Sequence, residues 1–333
     1  MLSTPSNNKP RPEGRPSSGA PARPGSARPV YAWSFEAIGT SWWIALDERF
    51  DKAALERIVL AVERRIEQFD AAYSRFRSDS LVSRWSRQAG EYPMPNDAKP
   101  LFDIYGQLYE LTEGAMTPLV GQVLSDAGYD ADYSLRQKSA LVSPPPPSDV
   151  WEYDALTLHI KQPVLLDFGA AGKGYLVDII SELLLSHGVA RFCIDAGGDI
   201  RYHNTSDVLP VGLEHPDDPS LVVGVAHIGG AVAENPAGHL ISAICGSSGN
   251  RRAWLEFHHI IDPRRLKSPK HLKAVWVTAR SALVADALAT ALFFTDAERL
   301  APRFQFEYAM VMADLRFRAS EGFPGHFFNT DEL

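Results

Sequence analysis

Between residues 190 and 260 the chain reads as one strand after another with no helical stretch between them, and this excludes a doubly wound parallel sheet. RFCIDAGGDIRYH is strand, glycine turn, strand; VLPVGLEHP and LVVGVAHIGG are further β-rich runs; KAVWVTA follows a little later. A parallel neighbour needs a crossover of about a dozen residues or more, whereas antiparallel neighbours close through short turns of this kind. Helical periodicity lies to either side. Asp51 precedes Leu55, Ile58, Val59, Val62, Ile66, Phe69 and Tyr73, an apolar stripe with charges on the other face. KPLFDIYGQLYELTEG predicts a helix stopped by Gly114, YLVDIISELLLSHG one closed at Gly188, and SALVADALATALFFT a last one. The expected class is α+β, with mixed or antiparallel sheets packed with helices.

Three other segments carry expectations. WSFEAIGTSWWIAL reads as a strand pair or bent strand around Gly39-Thr40, VLLDF as a buried strand, and ISAICGSSGNRR as a loop. SPPPPSDV can be neither helix nor central strand, because four prolines remove four donors. It is a spacer, or a seam between lobes near 141–150, within a body spanning 31–333.

With 333 residues, 45% of them apolar and 22% charged, the chain can bury a large core. Residues 1–30 hold five basic side chains and one acid, so the net charge of -8 leaves -12 on the remainder, which disfavours nucleic acid as a partner. That tail alternates Pro, Ser, Gly, Arg and Ala and is expected to be disordered. The tail lacks the apolar stretch of a secretory signal, no later run approaches the length of a membrane span, and a cytoplasmic protein is expected. Cys193 and Cys245 sit in apolar surroundings and read as reduced core thiols.

Chemistry could sit in three places. In LLDFGAAGKGY an acid, Asp167, precedes Gly169, Gly172 and Gly174 at a helix start, with Lys173 among them. Backbone N–H groups and the positive end of the helix could face a phosphate there. The spacing matches neither a Walker loop nor a kinase motif, and the glycines alone are accounted for by packing in a tight turn. In ALVADALATAL, Asp286 and Thr290 lie four apart on one helical face, among Ala and Leu. A carboxylate so placed must be paired, capped or bound to a cation unless it looks out to solvent. Few, short oxygen ligands suit Mg²⁺. In FHHIIDPRRLKSP, His259 could serve as a base and Asp262 could accept a proton or a hydrogen bond, while His258 points to the opposite side of an extended chain. No third nitrogen or sulfur ligand is near, which argues against zinc. Together these favour phosphoryl or nucleotidyl transfer.

The same stretches resemble the ApbE family, the FAD:protein FMN transferases. The pieces run in order: AIGTSW, SRFRSDSLVSR, GAMTPLVGQVL, LLDFGAAGKGYLVD, IDAGGDI, VGLEHP, SSGNRR, HHIIDPR and VADALATAL. The resemblance implies an ApbE-like fold and a Mg²⁺-dependent split of FAD, in which FMN joins a threonine hydroxyl of an acceptor flavoprotein and AMP leaves. It implies FAD contacts at Ile38, Phe76, Ala115, Met116, Thr117, Asp167, Lys173 and Ile261. The metal would be held by the Ala170 carbonyl, Asp286 and Thr290. His259 would activate the acceptor hydroxyl, alone or coupled with Asp262. Departures from the family pattern are Ile38 for methionine, Phe76 for Tyr or Trp, Thr117 at an acidic position, Asn250 for the aspartate of an SGD, and Arg265-Leu266 for Thr-Gly. Two alternatives stand beside transfer: hydrolysis of FAD to FMN and AMP on the same site, and a non-catalytic flavin-binding role.

Overall fold

The structure, a computed structural model, describes residues 29–328 apart from 139, 155, 206–207, 230–240 and 251. The disorder expected of the N-terminal tail concerns residues that lie almost wholly outside this range.

Its frame is an eight-stranded sheet in the order β1 (Tyr31–Ala37), β2 (Thr40–Leu46), β6 (Phe192–Ala196), β7 (Asp199–His203), β10 (Ala243–Ser248), β13 (Leu272–Ala279), β14 (Phe306–Met312) and β15 (Phe317–Ala319). Every neighbouring pair is antiparallel, as the uninterrupted strand runs require. Three smaller sheets surround it: β3 (Gly90–Pro93), β5 (Thr157–Ile160) and β4 (Trp151–Tyr153); β16 (Gly325–Phe327), β9 (Val222–Gly229) and β8 (Val208–Glu214); and the short ribbon β11 (Ala253–Trp254) with β12 (Phe257–His258).

Two-residue turns close the first two hairpins. Gly197 and Gly198, at φ 65° and 97°, link β6 to β7, and a Cβ on Gly197 would come within 1.9 Å of the Thr40 hydroxyl. Ile38 and Gly39, at φ 45° and 75°, link β1 to β2. A β-branched residue in the left-handed region is strained, so the surroundings must hold Ile38 there.

Helices α1 (Lys52–Tyr73), α2 (Leu81–Trp85), α3 (Ala98–Leu111), α4 (Gly121–Asp126), α5 (Gly172–Ser186), α6 (Ala282–Ala291) and α7 (Ala297–Leu300) complete the chain. The stripe read in α1 is the buried one: Leu55, Ile58, Val62, Ile66, Phe69 and Tyr73 face the core, and the Asp51 carboxylate accepts from the Ala54 N–H at 2.8 Å. Strand alternation divides the large sheet between two cores. Ile194, Ala196, Ala243, Cys245, Val275 and Val277 face the helices, while Ile200, Tyr202, Ile244, Ala274 and Trp276 face the β8–β9–β16 sheet. Both cysteines are buried.

Two expectations fail for identifiable reasons. VLLDF forms no strand and joins no ladder; single bonds tie it to its surroundings, Val164 N–H to the Trp85 carbonyl at 3.2 Å and Asp167 N–H to the Pro118 carbonyl at 2.8 Å. ISAICGSSGNRR is not a loop, since Ala243–Ser248 within it is a central strand. Its Gly and Ser lowered the apparent β-propensity, and packing against α6 overrode it. The proline run leads through a turn of 3₁₀-helix at Pro147–Asp149 into β4, and the main core includes residues from both sides of it, Trp85 and Tyr92 before and Leu158 and Ile194 after.

Candidate active site

The site begins with two helices that cap each other. α6 is rich in alanine and leucine, so its backbone can lie close against α5, and Gly174 is the point of contact. A Cβ there would meet the Ala282 carbonyl oxygen at 2.2 Å and Asp286 Cβ at 2.6 Å. That proximity lets Asp286 accept the Gly174 N–H at 2.9 Å, satisfying one of the unpaired donors at the start of α5. In return Asp178 of α5 accepts the N–H groups of Ala282 and Leu283, both at 2.9 Å, at the start of α6. Gly174→Ala should therefore cost about 1–3 kcal/mol of stability or more, read as a lowered urea midpoint, and also displace Asp286; an unchanged midpoint would contradict the packing.

Asp286 is 1% exposed, so the solvent-facing reading does not apply. Its second oxygen lies 3.6 Å from Lys173 Nζ, which is itself 2.6 Å from Asp199, another carboxylate only 1% exposed. Burial first, then the Asp199 charge, pushes the Asp286 carboxyl up to about 7, partly opposed by Lys173. Burial alone would lower the Lys173 ammonium, but the two carboxylates raise it above its ordinary value. Four residues along, Thr290 Oγ1 lies 3.1 Å from Ser247 Oγ at the end of β10. Asp286 and Thr290 thus present hard oxygen atoms beside an anionic cluster, a donor set that fits Mg²⁺ with its remaining positions left to a carbonyl, water or phosphate. Among the described residues no group of three or more His, Cys, Asp or Glu is placed to hold a metal ion.

The glycine N–H groups of the loop are already engaged, in keeping with packing in a tight turn rather than with an open anion cradle. Gly169 N–H is bonded to Asp167 at 2.7 Å, Gly172 N–H to the Phe168 carbonyl at 2.7 Å, and Gly174 N–H to Asp286. The glycines serve close packing and turn geometry. Ala170 lies in the turn between Asp167 and α5, beside the buried Tyr105, whose phenol is raised by burial and then by the charges of Asp167 and Asp286.

The remaining candidates are joined by a second chain of contacts. The Asp167 carboxylate is held by Arg75, whose guanidinium lies 4.2 Å from the Phe76 ring centre and 4.8 Å from that of Tyr129. The Tyr129 hydroxyl accepts from Arg252 at 2.8 Å; burial lifts the phenol to about 12, partly opposed by the Arg252 charge. Arg252 also donates to the Gly39 carbonyl at 3.3 Å, tying down the hairpin tip that carries Ile38, and its own carbonyl accepts the His259 N–H at 3.1 Å. Ile261 is buried in a cluster with Tyr129, Trp254 and Phe257, against which Phe76 packs. Ala115, Met116 and Thr117 are buried, and the Thr117 hydroxyl caps the short helical turn at Pro118–Val120. Any contact they make with a ligand falls to the backbone, or needs a local opening. Arg75, Tyr129, Arg252, Asp199 and Ser247 were not singled out in the sequence, although SRFRS, IDAGGDI and SSGNRR contain four of them.

Of the two adjacent histidines, His258 has both ring nitrogens engaged within the fold. His258 Nε2–H donates to the Pro269 carbonyl at 2.9 Å, which leaves Nδ1 to accept the Ile260 N–H at 3.3 Å. Burial lowers its pKa, with the Pro269 bond partly offsetting. A folded pKa below the unfolded one means that stability is complete above about pH 6.5 and is lost as pH falls from there through the lower folded value. His258→Gln should flatten part of that acid-side decline in melting temperature; an unaltered pH profile would refute this role. The His258 ring lies 6.3 Å from Phe293, so this segment passes near the C-terminal end of α6.

Asp262 is differently placed. Both its oxygens accept from Arg264, at 2.9 and 2.7 Å, and although burial would raise its pKa the guanidinium and backbone N–H bonds hold it below the ordinary carboxylate range. Arg264 also donates to the Thr112 carbonyl at 2.9 Å, joining this turn to the segment before Ala115. Leu266 sits at φ 56°, the left-handed position that the glycine of the family pattern would occupy without strain.

The chain is similar to known proteins over most of its length. The ApbE family model matches residues 38–310. An FAD:protein FMN transferase of Vibrio cholerae is 25% identical over 285 residues, covering 79% of this chain and 80% of that one. One from Treponema pallidum is 26% identical over 314 residues, covering 81% and 80%. The crystal structure of the ApbE protein from Thermotoga maritima superposes with a TM-score of 0.74 at 21% identity, over 87% of this chain and 97% of that one. The flavin transferase ApbE from Vibrio cholerae gives 0.66 at 20% identity, over 88% and 97%. A match across most of the chain, on a frame of the same fold, means that the protein belongs to the ApbE family.

Proposed function

We propose that this flavin transferase moves FMN from FAD to a threonine hydroxyl of an acceptor flavoprotein and releases AMP. The observation that carries the reading is the buried cluster of Asp286, Lys173 and Asp199, drawn from two helices and a strand, with Thr290 one helical turn along from Asp286. Asp286, Thr290 and the Ala170 carbonyl would hold Mg²⁺, which when bound neutralises charge on the pyrophosphate. Lys173 offers a further positive charge to the same group. The acceptor oxygen bonds to the phosphorus of the FMN half, the bond from that phosphorus to the bridging oxygen breaks, and AMP departs with that oxygen. His259 takes the hydroxyl proton, because the Asp262 lone pairs are engaged by Arg264 and its basicity is reduced. Ile38, Phe76, Ala115–Thr117, Asp167 and Ile261 form the flavin-nucleotide side of the site. The cytoplasmic location expected from the sequence belongs to this proposal; among the described residues no helix is long and apolar enough to cross a membrane.

Incubating the protein with FAD, Mg²⁺ and a threonine-bearing acceptor flavoprotein should yield an acceptor heavier by FMN. Free FMN alone would instead identify hydrolysis, and neither product would leave a binding role.

A further inference from the structure

Asp199 has no evident local task. It opens β7 after the Gly197–Gly198 turn, but the carboxylate that bonds into that turn is Asp195, which accepts the Gly198 N–H at 2.8 Å. Asp199 is nevertheless 1% exposed, and apart from its ion pair with Lys173 neither of its oxygens has a hydrogen-bond partner among the described residues. A buried carboxylate with one partner is costly, and a hydrophobic residue would fill the space without that cost. Lys173 is shared unequally, at 2.6 Å from Asp199 and 3.6 Å from Asp286.

We propose that Asp199 is a positioning residue that holds the Lys173 ammonium at the edge of the Asp286 pocket, so that Lys173 stays in place when a cation takes over Asp286. This rests on the transferase reading above. Without Asp199, Lys173 would be drawn onto Asp286 itself, competing with the cation for that carboxylate and leaving the position from which it meets the pyrophosphate. Ser247, the other strand residue at this pocket, positions Thr290 in a similar sense, but it is neutral and part-exposed and carries no comparable cost.

The test is a double-mutant cycle on Asp199→Asn and Lys173→Met, read by the kcat and KM of FAD cleavage and by melting temperature in EDTA. Asp199→Asn should lower kcat about 10-fold or more, the loss of one charge-assisted contact, and raise the Mg²⁺ concentration needed for half-maximal rate. In the Lys173→Met background it should change kcat less than about 2-fold. Lys173→Met alone should depress the melting temperature by stranding two buried carboxylates, and adding Asp199→Asn should restore much of it. Equal kcat losses in both backgrounds would mean that Asp199 acts independently of Lys173 and would overturn the proposal, as would a wild-type kcat in Asp199→Asn. If the wild-type protein cleaves no FAD, the transferase reading fails, and the melting temperatures still decide the pairing: no recovery in the double variant overturns it.

Discussion

Asp286→Asn is expected to leave the protein folded while Mg²⁺-dependent turnover falls by about 10²-fold or more, the scale seen when one electrostatic partner of a transition state is removed. Asn keeps an oxygen for the Gly174 N–H, so the cap on α5 survives. It also removes a buried carboxylate that is disfavoured beside Asp199. The stability consequence has a definite sign. The Asp286 carboxyl sits at about 7 in the fold against 3.8 as a free group, so the folded state binds more protons than the unfolded chain between those values. Stability of the metal-free protein therefore declines as pH rises through that window, and the decline should shrink in Asp286→Asn. Urea midpoints at pH 5 and 8 in EDTA, compared between the two proteins, read the effect. Full Mg²⁺-dependent activity in the variant would remove Asp286 from the metal site.

His259→Ala should lower transfer to the acceptor by about 10²–10⁴-fold, the contribution of a positioned base, with FAD affinity changed less than about 3-fold. Its backbone N–H bond to Arg252 is unaffected by the substitution, so the segment should keep its path. A parallel loss of FAD binding would instead make His259 part of the flavin pocket. Asp262→Asn supplies the contrast. Because Asp262 is locked by Arg264 across a turn and Arg264 reaches Thr112, losing its charge should lower the melting temperature while the kcat of the folded protein stays within a few-fold. A kcat loss matching that of His259→Ala, at unchanged stability, would make the two a coupled acid–base pair.

Much of the fold was legible because it is written in local periodicity. The α1 stripe, the glycine stops at Gly114 and Gly188, both at positive φ, and the Gly197–Gly198 turn all follow from near-neighbour spacing. β10 is hidden in the sequence because most of its residues are poor strand formers individually, and pairing with β13 along its whole length and with β7 on its other side, under α6, makes them a strand. VLLDF erred in the opposite sense: its residues favour a strand, but no ladder is offered to them.

The candidate site divides along the same line. Sequence alone determined that Asp286 and Thr290 share a face, because one helical turn fixes that relation wherever the helix lies. It could also show that a carboxylate there needs compensation. Only the tertiary structure decided what compensates it: a Gly174 N–H reached through close helix contact, and a lysine shared with Asp199 from a distant strand. Likewise the glycine-loop donors looked available to an anion until the fold supplied their acceptors, and Asp262 looked like a base until Arg264 closed on it. Covalent spacing sets which groups can act together within an element. Packing between elements sets which of them are already spent.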